Sequence, residues 1–317
     1  PPAELPDTYA FFSPEEAIIY AAETWTLWRE IPGALLWLKT FQSEQKNRVT
    51  GLAITELSQA QQSMLLRDPY SPISPLRLRT DLKDEHVAHV PFIPFCRAFL
   101  SEIQKAQALK LTTKSNLPRA LVHSMYDLRL FPSQYIDDGT LKLRGEDNFP
   151  ELMIAHALCG IAKWIKKTNG KVSLTKKGIQ ALQSADAQLY QELLKIYTQQ
   201  YNWAYTEQWS FGAPHTGQTG WAMILYELLR QGDTRQPDRY YANLYFQFLP
   251  QLLQQYRPSQ YFSPLDKATS DLRNRFFDRF GRLFGLVETE KNTEQPTDFT
   301  ELVVRRTELA ARVFELG

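Results

Sequence analysis

Six lysines and no acid lie between Ile161 and Gly178: Lys163, Lys166, Lys167, Lys171, Lys176 and Lys177. The whole chain carries 36 Lys+Arg against 35 Asp+Glu, a formal net charge of +1, so this run is a local positive field in a near-neutral molecule. Ammonium groups on an exposed hairpin would neutralise the phosphates of a nucleic acid and release its counterions. Lysines also guard exposed strand edges against unwanted pairing, and the residue types alone leave both readings open.

Other chemistry is sparse. Gly212-Ala213-Pro214-His215-Thr216-Gly217-Gln218-Thr219 has the outline of a phosphate-binding loop, but Gln218 stands where a lysine must reach the phosphates. Gln208-Trp209-Ser210-Phe211 before it is a poor buried parallel strand. The run is expected to be a Gly/Pro connection, in which Gln218→Ala changes nothing. His86 and His89, and His156 and Cys159, are three apart, which puts each pair on one helix face. A zinc site needs three or four ligands, so no metal is expected, and Cys159 reads as core. There is no G-x-S-x-G, H-E-x-x-H or C-x-x-C, so no catalytic residues and no cofactor are assigned, and the expectation leans away from an enzyme.

The elements that must hold the lysines can be read locally. Phe149 to Gly160 reads as a helix with Leu152, Ala155, Leu158 and Cys159 inward. Ile161 to Thr168 and Lys171 to Leu174 read as two strands. Asn169-Gly170 between them supplies the two positive-φ residues of a type I′ turn. Trp164 and Ile165 are expected on opposite faces. Thr175 then caps a helix that opens with Lys176-Lys177-Gly178. The helix before the hairpin has no Arg, Lys, Asn or Gln from Glu151 to Gly160, which argues against base readout from it.

Helix, tight hairpin, Leu174-Thr175 and Gly178 together resemble the second half of a winged-helix domain of the MarR-like kind. Leu111-Thr112-Thr113-Lys114-Ser115-Asn116-Leu117-Pro118 with Leu174-Thr175-Lys176-Lys177-Gly178 resembles uncharacterised bacterial proteins with paired LT-x-x-G-N-L-P and LT-x-x-G elements. Ser115 stands where the first glycine would be. The resemblance covers roughly 95–200 and implies a fold, not a reaction.

The pattern is expected to recur. A helix from Phe95 to Ala108 precedes the first LT element, and Asp271 to Phe284 precedes a strand at 285–288, a loop from Lys291 to Asp298, a return strand at 302–306 and a helix opened by Thr307. Val49 to Thr55 is a fourth candidate. The four threonines read as helix caps, Thr55, Thr112, Thr175 and Thr307, lie 57, 63 and 132 residues apart, which suggests duplicated units. Ser13-Pro14-Glu15-Glu16 starts an earlier helix, with an apolar segment at Ala34–Phe41 after it. The proline-rich stretch 68–94 reads as an irregular linker.

The expected fold is mainly α with small β-hairpins, as tandem winged-helix-like units around a central helical segment. The expected divisions are an N-terminal helical region at 1–85, a winged-helix-like region with two LT elements at 86–186, an aromatic-rich helical region at 187–265 and a C-terminal winged-helix-like unit at 266–317. Residues 187–265 hold ten of the fifteen tyrosines, and an aromatic surface at 201–245 could take a protein partner. Two cysteines cannot frame a disulfide scaffold, the start of the chain is unlike a signal peptide, and no apolar run reaches a membrane span, so a cytoplasmic protein without a membrane partner is expected. The function expected is non-enzymatic binding of a DNA or RNA backbone by the lysine wing. The alternative is a protein-interaction or scaffold subunit of a bacterial complex.

Overall fold

The computed structural model describes residues 54–207, 212–291 and 302–317. The helix expected from Ser13, the segment at 34–41, the residues 49–53 of the fourth candidate, and the strand and loop positions 208–211 and 292–301 lie outside the described residues.

In chain order the elements are α1 (Gln59–Arg67), β1 (Leu76–Leu78), α2 (Asp84–Val87), α3 (Phe92–Ala106), β2 (Leu109–Lys110), α4 (Arg119–Asp127) and α5 (Gln134–Asp137). Next come α6 (Pro150–Ile161), β3 (Ile165–Thr168), β4 (Lys171–Leu174), α7 (Lys176–Gln183), α8 (Asp186–Gln199) and α9 (Trp221–Gln231). Then follow β5 (Gln236–Pro237), α10 (Asp238–Phe248), α11 (Pro250–Leu253) and α12 (Pro264–Leu272), which runs on as a π-helix over Arg273–Gly281. β6 (Val287–Lys291), β7 (Leu302–Arg306), α13 (Glu308–Val313) and β8 (Phe314–Leu316) complete the described chain. The protein is mainly helical, with small sheets of order β1-β8, β2-β4-β3 and β5-β7-β6.

These elements form two compact units that interleave along the sequence. One takes residues up to 80 together with 219–249 and 289–317. Its central helix is α9, in which every residue from Trp221 to Leu228 is buried. Trp221 packs on Phe314 and Tyr70, with ring centroids 6.1 and 5.6 Å away. Leu76 pairs with Leu316 and Leu78 with Phe314, so the stretch expected to be an irregular linker holds a strand. That strand's partner is at the far end of the sequence, where no local pattern could show it. The following helix α3 starts at Phe92, ahead of Pro94, because a proline in the first helical turn gives up no intrahelical bond.

The second unit takes 81–218 and 250–288. Its core is aromatic. Phe95 meets Phe131 and Phe149 edge-on, and Trp203 stacks on Phe280 at 4.9 Å. Tyr201, Trp203, Tyr241 and Tyr245 are all at most 2% exposed, each within its own unit. Among the described residues the aromatics at 201–245 are therefore mostly interior, and Tyr205 is the large one left exposed. The reason is helical spacing: rings at that density fill a core before they cover a surface.

The hairpin forms as the dipeptide requires. Ile165 pairs with Leu174 and Thr168 with Lys171, and Asn169 and Gly170 take φ of 51° and 68°. Its first strand is shorter than expected. The helix α6 runs to Ile161, and Lys163 at φ 60° ends it. Lys163 N–H bonds Gly160 O and Trp164 N–H bonds Cys159 O, a Schellman cap with lysine in the glycine position. Trp164 thus precedes the strand instead of alternating with Ile165, and both are buried. Gly285, at φ 65°, ends the helix that follows the π-helical segment in the same way: Gly285 N–H bonds Arg282 O and Leu286 N–H bonds Gly281 O.

Two of the four threonines cap as expected. Thr175 Oγ1 accepts from Gly178 N–H at 3.1 Å, and Thr307 Oγ1 from Ala310 N–H at 3.1 Å. The other two do not. Thr55 lies inside a 3-10 turn, Ile54–Glu56, and Ser58 caps α1. Thr112 closes a loop instead, its Oγ1 accepting from Asn116 N–H at 3.0 Å. Pro118 and Leu117 intervene before α4, so no helix amide is within reach of Thr112.

Candidate functional site

The joint that carries the hairpin is built from Trp164, Thr175 and Gly178. Thr175 N–H donates to Trp164 O at 2.9 Å, and its hydroxyl donates to Lys163 O at 2.6 Å. Gly178 lies against the Trp164 carbonyl so closely that a Cβ there would overlap the carbonyl oxygen. The spacing of threonine and glycine is thereby explained: one residue caps and clamps, and the other lets the helix approach the backbone.

This joint separates the six lysines into two groups. Lys166, Lys167 and Lys171 sit on the hairpin. Lys163, Lys176 and Lys177 gather at its base, at the end of α6 and the start of α7. All six are exposed, and among the described residues none forms an ion pair. The strands put Lys167 on the face of Ile165 and Val172, and Lys166 and Lys171 on the other. The lysines are therefore not one flat patch.

The sheet adds a lysine that the sequence reading did not include. Strand β2 pairs with β4, and Lys110 lies directly across from Lys171. Like charges directly opposite on neighbouring strands are unfavourable without a counter-charge. The signal was available in the first LT element, had its strand been placed beside the hairpin.

A cleft of about 550 Å³ opens beside the hairpin, bordered by Lys114, Asn116, His156, Lys166, Lys167 and Tyr205. At its floor is a buried carboxylate. Glu146 Oε1 accepts from Leu117 N–H at 2.9 Å, and Oε2 lies 2.9 Å from His156 Nδ1. Sequence reasoning paired His156 with Cys159. The structure gives His156 to Glu146, ten residues earlier at the start of a 3-10 turn, and puts Cys159 in the core beside Cys96, where burial raises both thiols' pKa. Both thiols are free. Ser115 adopts φ 66° on the cleft rim, the left-handed backbone for which glycine is the ordinary residue. His86 Nδ1 accepts from Lys83 N–H at 3.1 Å. Among the described residues no group of His, Cys, Asp and Glu is arranged to hold a metal ion.

The loop with the phosphate-loop outline is something else. Gln218 turns inward: its Oε1 accepts from Trp203 N–H at 3.2 Å and its Nε2 donates to Tyr201 O at 2.6 Å. The residue in the lysine position is thus a clamp on the turn Trp203–Thr206. Gln218→Ala is now expected to destabilise the protein by about 1–2 kcal/mol, two hydrogen bonds to backbone being lost. An unchanged urea midpoint would restore the neutral connection first expected.

Residues 88–187 match the family described as the Y4jL N-terminal domain, which is less than half of the chain. The match starts just before α3 and ends just after α7, so it takes in the three-stranded sheet and its helices. No curated protein and no solved structure matches the chain. Among the described residues no helix is long and apolar enough to cross a membrane.

Proposed function

We propose that this protein is a non-enzymatic binding protein that holds nucleic acid by its phosphate backbone, through a winged-helix-like unit spanning α3 to α7. The observation that carries the reading is the exposed, acid-free lysine surface of the hairpin, widened by Lys110 directly opposite Lys171. A bound polyanion would relieve that like-charge pair. It would also offset Lys176 and Lys177, which sit in the first turn of α7 with no acid, at the helix end where cations are disfavoured. The sheet order β2-β4-β3, with its two-residue type I′ turn, supports the winged-helix relation. The Thr307-capped return of β7 into α13 supports a second, related unit. Two buried free thiols fit a reducing, cytoplasmic setting.

Helix α6 is not a base reader in this proposal. Its outward residues include Glu151, Met153, His156, Ala157 and Gly160; the two polar side chains among them are a carboxylate facing Arg282 and an imidazole held by Glu146. Affinity therefore follows charge more than sequence. Replacing Lys166, Lys167 and Lys171 with Ala is expected to weaken binding equally on unrelated sequences. The salt dependence on duplex DNA should flatten by about 0.9 per lost contact. Fluorescence anisotropy at two salt concentrations checks this. A wild-type protein that binds neither duplex nor single strand at low salt would sink the reading.

A second reading, a protein-interaction subunit, rests on a different observation. Leu128, Tyr135 and Leu141 are 44%, 67% and 38% exposed within one short stretch between α4 and α6. Failure of every nucleic acid to bind would favour that surface.

A further inference from the structure

We propose that the cleft beside the hairpin seats one unpaired nucleotide, which makes single-stranded nucleic acid the ligand. This rests on the nucleic-acid reading above and adds a seat for a base to a surface for phosphates.

Four features of the cleft point this way. Its volume of about 550 Å³ falls within the range of small-ligand sites, and it is open along one side, so a strand can enter without threading. Its lining carries three exposed lysines, Lys114, Lys166 and Lys167, against one exposed carboxylate, Asp147, and among the described residues none of the three is within salt-bridge range of an acid. Phosphates before and after a seated nucleotide would meet these ammonium groups.

The third feature is Tyr205. It is 61% exposed, one of three exposed tyrosines of its unit with Tyr135 and Tyr261, and the one that borders the cleft. Its ring is backed edge-on by Tyr201 at 6.3 Å, and its 3-10 turn is held from below by Gln218 and capped by Asn202, whose Oδ1 accepts from Ala204 N–H. A ring held on a braced turn and left open on one face is what a base needs for stacking, since every base has a π-face.

The fourth is the Glu146–His156 pair. The buried carboxylate, already accepting from Leu117 N–H, takes the Nδ1 side of the imidazole. That leaves Nε2 for the cleft, in a fixed ring orientation. Asn116 also lines the cleft, so a base edge would meet one imidazole of fixed orientation and one carboxamide. A duplex cannot use this arrangement, because its bases are stacked and paired and its phosphates would meet the hairpin lysines Lys166 and Lys167 without following the cleft to Lys114.

The test compares a fluorescein-labelled oligothymidylate single strand with a duplex of the same length. The proteins are wild type, Tyr205→Ala, Tyr205→Phe and Lys114→Ala. Tyr205 and Lys114 are surface residues outside the hairpin, and a thermal melt confirms that each variant folds. Tyr205→Ala should weaken single-strand binding by about tenfold or more, the scale of one lost base stack. Tyr205→Phe should bind as wild type, and Lys114→Ala should weaken the single strand alone. Duplex binding should be unchanged in all three. If wild type binds nucleic acid but Tyr205→Ala and Lys114→Ala bind single strand equally well, the nucleotide seat is overturned while the wing reading stands. If wild type binds neither probe, the wing reading itself fails. Competition by poly-glutamate as strong as by unlabelled single strand would also overturn the seat, because poly-glutamate brings charge without bases.

Discussion

Replacing Arg275 with methionine is expected to destabilise the protein by about 3–5 kcal/mol, the cost of leaving buried charges unpaired. Arg275 is fully buried, on the π-helical continuation of α12. Its Nε and Nη2 each donate to one oxygen of Glu207 at 2.6 Å, a bidentate pair. Nη1 donates to Ala213 O and Thr216 O at 2.5 and 3.1 Å, so the guanidinium also holds the loop that precedes α9. Asp271 lies 3.7 Å away and shares Oδ2 with Tyr256, whose hydroxyl proton stays in place because burial raises its pKa. Methionine has a similar length but would remove the cation beside Asp271 and leave Glu207 with only the more distant Arg279, at 3.5 Å. Lysine would keep the charge and lose the fork, since one ammonium cannot serve both carboxylate oxygens and two carbonyls in the same plane. Arg275→Lys should therefore also cost stability, by less than Arg275→Met. Urea denaturation checks both, read as a change in midpoint at unchanged slope. A loss below about 1 kcal/mol for Arg275→Met, within the range of exposed pairs, would show that water reaches the network.

The part of this architecture that the sequence shows is the part decided by neighbours in the chain. Asn169-Gly170 favours positive φ at both positions, so the turn of the hairpin could be placed to the residue, while the start of its first strand could not. Thr175 caps its own helix and Thr307 does the same, since the hydroxyl and the amide it accepts from are three residues apart. Thr112 shows the limit: the same dipeptide, followed by a different spacing to proline, closes a loop. Features decided by distant residues were not legible. Leu76 is a strand residue because Leu316 lies beside it. Glu146 is part of the cleft because a 3-10 turn brings it under His156, and no spacing rule connects that carboxylate to a helical imidazole. Gln218 was misjudged for a related reason, since a motif comparison registers the missing lysine but not the backbone groups that a glutamine can clamp. Lys110 joins the basic surface only once β2 is seen to lie along β4.

The second large effect concerns the joint under the hairpin, where Trp164→Ala is expected to cost about 3–5 kcal/mol, as for other buried large-to-small changes. Trp164 is 2% exposed and supplies the carbonyl that Thr175 N–H reaches at 2.9 Å. Removing the indole leaves a cavity beneath the strand start, while the backbone bond to Thr175 can survive. Gly178→Ala attacks the same joint from the other side. Its added methyl group would overlap the Trp164 carbonyl, which is backbone and cannot rotate away, so α7 must move off the hairpin. Overpacking of this kind costs about 1–3 kcal/mol, with backbone clashes at the upper end. The two variants predict different local behaviour. In Gly178→Ala the Thr175 amide should lose hydrogen-exchange protection, because its acceptor is pushed away. In Trp164→Ala that amide should stay protected relative to the global loss. Equal protection of the Thr175 amide in both variants would mean that the helix absorbs the methyl group by bending, and the close approach would not be what places glycine there. The lysine variants give the control: they remove charge from exposed positions and relieve the Lys110–Lys171 repulsion, so the melting temperature should not fall and this amide should stay protected.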